Sequence, residues 1–120
     1  MPLINIWGEI ILKLKNKLLE DVLEGLIMII LEENDMAGYE ILNTIERKTE
    51  EIFKSKDISI FPFLYKLENK KYIENYWLEK DIPYKYYKIT PKGRETLVEI
   101  KKDLYLFNNG LSNFLDSNIR

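Results

Sequence analysis

The chain has 120 residues, of which 46% are hydrophobic, and a net charge of −2, which suits one globular domain rather than two. It contains no cysteine and no histidine, so thiolate nucleophiles, disulfides, the usual zinc sites and histidine bases are excluded. No Gly-rich loop is present to bind a phosphate, which further lowers the expectation of an enzyme. The apolar runs are too short to span a bilayer, and the N-terminus does not resemble a signal peptide. We expect a cytoplasmic, non-enzymatic protein without cofactor or metal.

Charge is distributed unevenly along the chain. Residues 54–94 carry ten Lys or Arg against five acidic residues, a local balance of +5, so the remainder carries −7. A basic centre on an acidic body is typical of a small DNA-binding protein, because Lys and Arg attract phosphates. A lysine-rich solvated surface would give the same composition, so charge alone leaves both interpretations open.

The first part of the chain predicts helices. Residues 5–17 place apolar side chains at helical spacing with lysines on the other face, which predicts an amphipathic arm. Residues 18–33 are apolar around most of the helical circumference, which predicts a helix buried on several sides. Residues 34–38 predict a turn in which Gly38 lies where the chain reverses, and residues 39–48 resume helical spacing.

A third main helix follows a mostly polar connector over residues 49–58. Ser59 is predicted as its N-cap, because a serine hydroxyl can accept a hydrogen bond from an otherwise unpaired first-turn N–H. Pro62 is compatible with the first turn, where backbone N–H groups have no helical partner. The helix is predicted to run to about Lys70.

A β-hairpin is predicted next. Residues 72–78 form a short apolar strand, residues 79–83 a polar turn, and residues 85–89 the returning strand. The order of helix, hairpin and helix is that of a winged helix. The predicted fold class is therefore mainly α with a small β-hairpin, a winged helix-turn-helix with dimerisation helices at both ends.

The last helix is predicted to begin at Thr90-Pro91, a cap residue followed by proline at the first helical position. Its apolar residues are spaced alternately by three and four, which is a heptad seam: Leu97, Ile100, Leu104, Phe107, Leu111 and Phe114. Asn108-Asn109-Gly110 is a helix-stop signal inside this seam. Whether the helix continues past Gly110 is left open by the sequence.

The seam predicts self-association, although it could also pack inside the monomer. The first 33 residues and the last helix are expected to form a homodimer, and its predicted interface comprises Trp7, Ile11, Leu97, Ile100, Leu104, Phe107 and Leu111. We read the chain as a single domain with an arm and first core helix (1–33), a helix-turn-helix and wing (34–90) and a dimerisation helix (91–120).

These residues resemble the PadR family of bacterial transcriptional regulators, specifically its short members with one C-terminal helix. The resemblance covers roughly residues 23–97. It is carried by Gly38-Tyr39-Glu40-Ile41 at the start of the second helix, by Phe61-Pro62 with Leu64, Leu67 and Glu68 in the recognition helix, by Trp77 in the first wing strand, and by Lys85-Tyr86-Tyr87 with Thr90 and Gly93. The resemblance implies DNA binding and, in many members, sensing of small molecules.

The chain departs from the family pattern at several positions. The family usually has Gly-Thr where this chain has Ile58-Ser59, tyrosine where it has Phe61, and glycine where it has Lys71. Losing the tyrosine hydroxyl removes one hydrogen bond that could reach DNA. The wing tip is also shorter and less basic than the family habit, so wing contacts are the weakest part of the resemblance.

The predicted DNA-contacting residues lie on the recognition helix, its start and the wing: Tyr39, Ser59, Phe61, Pro62, Tyr65, Lys66, Lys85 and Tyr86. Tyr65 and Lys66 lie one turn into the helix, where side chains reach base edges or the backbone. Tyr86 and Tyr87 alternate across a strand, so one should be core and the other exposed. The tryptophans are expected to be packing residues more often than ligand-stacking ones.

The sequence thus predicts a homodimeric repressor that binds double-stranded DNA at a near-palindromic operator. One rival is a protein-interaction module that keeps the fold and has lost DNA binding. The acidic net charge, the replacement of the family's tyrosine by Phe61 and the short, weakly basic wing would favour it. An enzyme is a second rival, but no motif provides it with a polar site. A planar apolar effector held between aromatic side chains of the dimer is a further hypothesis.

Overall fold

The computed structural model describes residues 19–79 and 83–119. The described helices are α1 (19–33), α2 (Gly38–Lys48), α3 (Phe61–Asn69) and α4 (Pro91–Ile119), and the strands are β1 (Met36–Ala37), β2 (Ile73–Leu78) and β3 (Tyr84–Ile89). A 3₁₀ turn, Ser55–Asp57, lies in the connector before α3. The predicted arm over residues 5–17, with Trp7 and Ile11, and the predicted wing-tip residues 80–82 lie outside the described residues.

The core is formed by apolar side chains from all four helices and the sheet. Its fully buried members are Ile27, Met28, Leu31, Ile41, Ile45, Leu64, Leu67, Ile73 and Leu97. The apolar circumference of residues 18–33 is explained by this arrangement, because α1 lies centrally and is buried on more than one side. Burial of these side chains fixes the orientation of α3, whose opposite face remains exposed.

The sheet has three antiparallel strands in the order β1-β3-β2. The predicted hairpin is confirmed, with Ile73 opposite Ile89 and Leu78 opposite Tyr84. The prediction of a plain turn over residues 34–38 is wrong, because Met36 and Ala37 pair with Tyr87 and Tyr86 of β3. A strand of two residues is too short to show the alternation of apolar and polar residues by which strands are predicted.

Gly38 does not reverse the chain as predicted; it is the first residue of α2 and has no positive φ. Packing does not require a glycine here either, because a Cβ would lie 3.5 Å from side-chain atoms of both Leu64 and Phe61, which is an ordinary van der Waals distance. The start of α2 is fixed by the Glu40 carboxylate, which accepts a hydrogen bond from the Ala37 N–H at 3.2 Å. The N-terminus of α2 therefore lies directly against α3.

The turn after α3 joins that helix to the wing. Lys71 adopts a positive φ of 66°, its N–H donates to the Glu68 carbonyl at 2.9 Å, and the Tyr72 N–H donates to the Leu67 carbonyl at 3.1 Å. This pair of hydrogen bonds is a Schellman motif, which usually places glycine at the left-handed position. The glycine expected here from the PadR resemblance is thus explained, and Lys71 takes the same conformation against its steric preference.

The start of α4 is bound to the same turn. As predicted, Thr90 caps the helix: its Oγ1 accepts the Gly93 N–H at 3.0 Å, while its hydroxyl lies 2.7 Å from the Lys71 carbonyl oxygen. Gly93 is required by close approach, because a Cβ there would lie 2.1 Å from the Tyr72 carbonyl oxygen. The wing and α4 are therefore joined through backbone atoms as well as through side-chain packing.

The helix-stop signal at Asn108-Asn109-Gly110 does not end the helix, because α4 continues through these residues to Ile119. Gly110 has no positive φ, so the left-handed cap that such a signal predicts is not formed. Glycine in a helix interior costs only about 1 kcal/mol relative to alanine, which is too little to end a helix by itself.

The predicted fold class is confirmed as mainly helical with a small antiparallel sheet. Across residues 19–79 and 83–119, no helix combines the length and the apolar character needed to cross a membrane. The same residues hold no group of three or more acidic side chains placed to bind a metal ion.

Candidate nucleic-acid interface

The exposed face of α3 carries aromatic side chains. Phe61 is 65% exposed and Tyr65 is 68% exposed, and Pro62 is exposed beside them. Leu64 and Leu67, on the opposite face, are buried. Because residues four apart lie on one face of a helix, Phe61 and Tyr65 form a continuous ridge. The structure thus brings together three of the predicted DNA-contacting residues on a helix fixed from behind.

The start of α3 differs from the prediction. The helix begins at Phe61, its N-cap is Ile60, and no side chain caps it, so the predicted capping role of Ser59 is wrong. Ile60 is buried in the core, which places the helix start by packing rather than by a hydroxyl. Ser59 is exposed just before the helix. In the first turn, Pro62 has no N–H and the Phe63 N–H donates to the Ile60 carbonyl oxygen at 3.1 Å, so the helix start offers few backbone donors to an anion such as a phosphate.

Lys66 and Lys70, the C-cap residue that ends α3, lie on the flank of this helix and are paired with an acid from α1. The Lys66 ammonium is 3.9 Å from Oε1 of Glu24, and the Lys70 ammonium is 3.7 Å from Oε2. Glu24 is only 9% exposed, and its Oε1 accepts no hydrogen bond within the described residues. Glu24 was not among the residues predicted to contact DNA. An acid inside the apolar run of a buried helix was the signal that could have found it.

Tyr39 lies beside the ridge, at the N-terminus of α2. It is exposed, and its ring centroid is 5.9 Å from that of Tyr84 at the start of β3. Partial desolvation, together with the neighbouring Glu40 carboxylate, raises the pKa of Tyr39 above its ordinary value. A tyrosine is neutral at physiological pH even without this shift, so the Tyr39 hydroxyl is able to donate a hydrogen bond.

The wing places its side chains on two faces. The prediction that Tyr86 and Tyr87 separate is confirmed, since Tyr87 is buried and Tyr86 is half-buried. The ring centroids of Tyr86 and Tyr76 are 5.9 Å apart, and the Tyr76 hydroxyl donates a hydrogen bond to Oδ2 of Asp35 at 2.7 Å. That hydrogen bond is the main cause that raises the pKa of Tyr76. Tyr86 thus belongs to a small cluster on the outer face of the sheet.

Lys85 lies on the other face of the wing, with its ammonium 5.7 Å from the ring centroid of Tyr87. Its cross-strand partner is Trp77, which is 62% exposed. The expectation that Trp77 is a packing residue is therefore wrong for this chain: it lies too far along β2 for the core to cover it. Lys88 was expected on the opposite face and as a weaker phosphate candidate than Lys85, and its ammonium is paired with the Glu74 carboxylate at 3.3 Å.

The predicted dimer residues of α4 fall into three groups. Leu97 is fully buried within the chain, so its assignment to a dimer interface is wrong: the monomer core already covers it. Ile100 and Leu104 are partly buried and approach α1, where a Cβ on Gly25 would lie 3.2 Å from Ile100 and 3.3 Å from Leu104. Phe107 and Leu111 are exposed.

Comparison with known proteins assigns the chain to a family. A family model described as the transcriptional regulator PadR-like family matches residues 27–99. An uncharacterized protein X of Lysinibacillus sphaericus is 32% identical over 83 residues, which are 68% of this chain and 76% of that protein. The crystal structure of a PadR-like transcriptional regulator from Bacillus cereus is 29% identical, with a TM-score of 0.70 over 82% of this chain and 96% of that chain.

A Bacillus subtilis PadR structure, determined in complex with operator DNA, shares the fold with a TM-score of 0.56 and 23% identity. The similarity covers 65% of this chain and 45% of that one. The family match spans α2, α3, the wing and the first turns of α4, which are the elements that build the interface described above. This chain therefore belongs to the PadR-like family of transcriptional regulators.

Proposed function

We propose that this regulator is a homodimer that binds a near-palindromic operator through α3 and represses transcription by obstructing polymerase. The recognition helix lies in the major groove, and the wing lies beside the sugar-phosphate backbone. In this proposal residues 34–90 read DNA, whereas the N-terminal segment (1–33) and α4 hold two copies together.

The observation that carries the proposal is the aromatic ridge of Phe61 and Tyr65 on a helix anchored by buried Leu64 and Leu67. The major groove of B-DNA admits one α-helix, and an exposed ring can contact a thymine methyl group while a phenol reaches a base edge. A rigidly held helix loses little entropy on binding. The relative from Bacillus subtilis, solved with operator DNA, supports this use of the fold.

The dimer proposal is supported by the second half of α4, where Phe107 and Leu111 are exposed together with Tyr105, Leu106 and Leu115. Two copies joined there would present two α3 helices to successive major grooves, about 34 Å apart. Half-sites related by two-fold symmetry follow from such an arrangement.

Footprinting on the DNA upstream of the protein's own gene tests the proposal. We expect a protected, near-palindromic site whose affinity falls steeply with salt. Tyr65→Ala should relax the base preference by roughly 1–3 kcal/mol at the contacted position, since base contacts specify. Lys85→Ala should weaken all duplexes alike and reduce the salt slope by about one unit. A folded Tyr65→Ala protein with unchanged preference would argue against α3 as the reading element.

A protein-interaction module is the alternative, and one observation favours it. Two lysines of α3 are paired with Glu24 and the wing lysine Lys88 with Glu74, which lowers the positive field available to phosphates. Such a module would bind every duplex weakly at all salt concentrations, with no footprint. The footprint experiment therefore decides between the two functions.

A small planar effector is a further part of the proposal. A groove of about 270 Å³ between α1 and α4 is lined by Val22, Ile100, Leu104 and Phe107, with Asp21 and Asp103 beside them. Because α1 also contacts α3, a compound in this groove could change the separation of the two recognition helices if it favours one dimer geometry.

Planar aromatic compounds can be screened for this role by tryptophan fluorescence. The Trp77→Phe variant removes the exposed wing tryptophan and leaves Trp7 as the reporter. Quenching accompanied by a change in operator affinity would support sensing. Quenching alone would mean opportunistic binding, and no quenching would leave a regulator controlled by its abundance.

A further inference from the structure

Glu24 is the one acid of α1 that lies against the recognition helix while almost fully buried. Its carboxylate has a side-chain exposure of 12%, and each of its two oxygens has one lysine ammonium of α3 within 4 Å, at 3.9 Å for Lys66 and 3.7 Å for Lys70. The lysine side chains are themselves about half exposed, at 53% and 46%. The acid thus lies in the interior, whereas both lysine side chains have direct access to solvent.

Separating these charges costs hydration free energy at the buried carboxylate, because water cannot replace the lysines there, whereas the released lysines are hydrated. A lysine that leaves Glu24 gains hydration, whereas Glu24 would remain in a site with little access to water, and its Oε1 already accepts no hydrogen bond within the described residues. The equilibrium therefore favours lysines that stay near Glu24. A DNA phosphate that recruits either lysine must compete with this buried carboxylate.

Resting on the DNA-binding function proposed above, we infer that Glu24 withholds Lys66 and Lys70 from DNA phosphates and so sets how well the protein discriminates its operator from other DNA. Non-specific binding is almost entirely electrostatic, so withholding two cations weakens it most. Operator binding depends in addition on the ridge of Phe61 and Tyr65, whose base contacts do not involve these lysines. Glu24 thereby raises the specificity ratio at the expense of total affinity.

The test uses the full-length chain, a mixed-sequence duplex of about three helical turns, and the duplex upstream of the protein's own gene that the footprint identifies. In Glu24→Gln, both lysines become available, so the salt slope on mixed-sequence DNA should steepen by up to about two units, at roughly 0.9 per phosphate. At 0.1 M salt we expect mixed-sequence affinity to rise about five- to tenfold per recruited lysine. Operator affinity should rise less, so the ratio of the two affinities falls.

Glu33→Gln is the matched control, because it makes the same change in net charge and releases Lys48 of α2, 3.9 Å away on the surface, rather than a lysine of α3. Lys66→Met in the Glu24→Gln background provides a second test and keeps the methylene stem of the side chain. It should remove about half of the added slope, a larger change than the same substitution makes beside an intact Glu24. Thermal melts establish that each variant is folded.

Three outcomes would overturn the inference. An equal gain in Glu33→Gln would show that net charge alone is responsible. An unchanged or flatter salt slope in folded Glu24→Gln would show that Glu24 does not withhold the lysines. An equal effect of Lys66→Met with and without Glu24 would show that the two residues act independently. Failure of the wild-type chain to bind any duplex would instead contradict the proposed function, so the two failures remain distinguishable.

Discussion

The two halves of α4 carry the same apolar spacing in different surroundings. In residues 91–104, Leu97 is buried, Ile100 and Leu104 approach Gly25, and Lys101 pairs with Glu32 of α1. In residues 105–117 every side chain is exposed, including Phe107 and Leu111. A heptad pattern reports that a helix has an apolar seam but does not report which molecule covers it. Here the monomer core covers the first half, and a second copy is the proposed cover for the other.

The largest effect is expected from Gly93→Ala, which breaks the anchored half. The new Cβ would lie 2.1 Å from the Tyr72 carbonyl oxygen, a backbone atom that also accepts the Thr90 N–H at 3.0 Å. Backbone must move to relieve the overlap, so we expect a loss of about 3 kcal/mol or more in the free energy of unfolding. Urea denaturation measures it, and a loss below about 1 kcal/mol would mean that α4 is not fixed to the wing as described.

Leu111→Glu addresses the exposed half. A charge in a buried seam between two copies should weaken association by about 2–3 kcal/mol, with little change in monomer stability because Leu111 is exposed within the chain. Sedimentation should then show a shift from dimer to monomer at micromolar concentration, with weaker operator binding. Asn109→Glu, on the opposite side of the helix, is the control and should leave assembly unchanged.

Leu104→Glu would be a poorer test of assembly. Leu104 is partly buried against α1 in the same chain, so its replacement would also destabilise the monomer.

A Leu111→Glu protein that is still dimeric and binds the operator normally would mean that residues 105–119 do not form the interface.

Thr90→Ala weakens the start of the anchored half by a smaller amount. It removes the Oγ1 that accepts the Gly93 N–H at 3.0 Å and the hydroxyl that lies 2.7 Å from the Lys71 carbonyl oxygen. Loss of an N-cap costs about 1–2 kcal/mol, and we expect a value in that range by thermal or urea unfolding. Thr90→Ser retains the hydroxyl and should recover most of the loss. Equal losses in both variants would assign the effect to the methyl group instead.

Gly110→Ala should have the smallest effect, and in the opposite direction. No atom lies within 4 Å of the added Cβ, and alanine is favoured over glycine in a helix interior by about 0.5–1 kcal/mol. The same substitution type therefore destabilises the chain in the first half of α4 and stabilises it in the second. Circular dichroism and urea unfolding can follow both, and a destabilised Gly110→Ala protein would mean that α4 does not continue as a regular helix there.

The sequence predicted those elements whose signals are local. Thr90-Pro91 marked the start of α4, and the alternation around Tyr86 and Tyr87 separated a half-buried ring from a buried one. Residues 59–70 were predicted as a helix from the cap signal at Ser59 and from Pro62 in the first turn, and the helix is present over Phe61–Asn69 although Ser59 is not its cap. These features depend on hydrogen bonds and periodicities within a few residues, which a single sequence contains.

The features that the sequence missed depend on tertiary neighbours. Met36 and Ala37 become a strand only because β3 lies beside them, and Ile60 sets the start of α3 because the core holds it. Leu97 was assigned to the dimer interface because apolar spacing cannot distinguish packing against the same chain from packing against a second copy. Glu24 escaped notice because its partners, Lys66 and Lys70, are more than 40 positions away in the chain.

The unbroken passage of α4 through Asn109 and Gly110 also bears on the chemical lifetime of the protein. An asparagine followed by glycine deamidates readily when the glycine nitrogen can turn and attack the side-chain carbonyl carbon, forming a succinimide. A regular helix holds that nitrogen in a backbone hydrogen bond and keeps it turned away. We expect deamidation of Asn109, followed by mass spectrometry, to slow as protein concentration rises, because assembly through this half would suppress fraying. The extent of deamidation at Asn109 thus measures how much of the time the second half of α4 is unwound around this dipeptide.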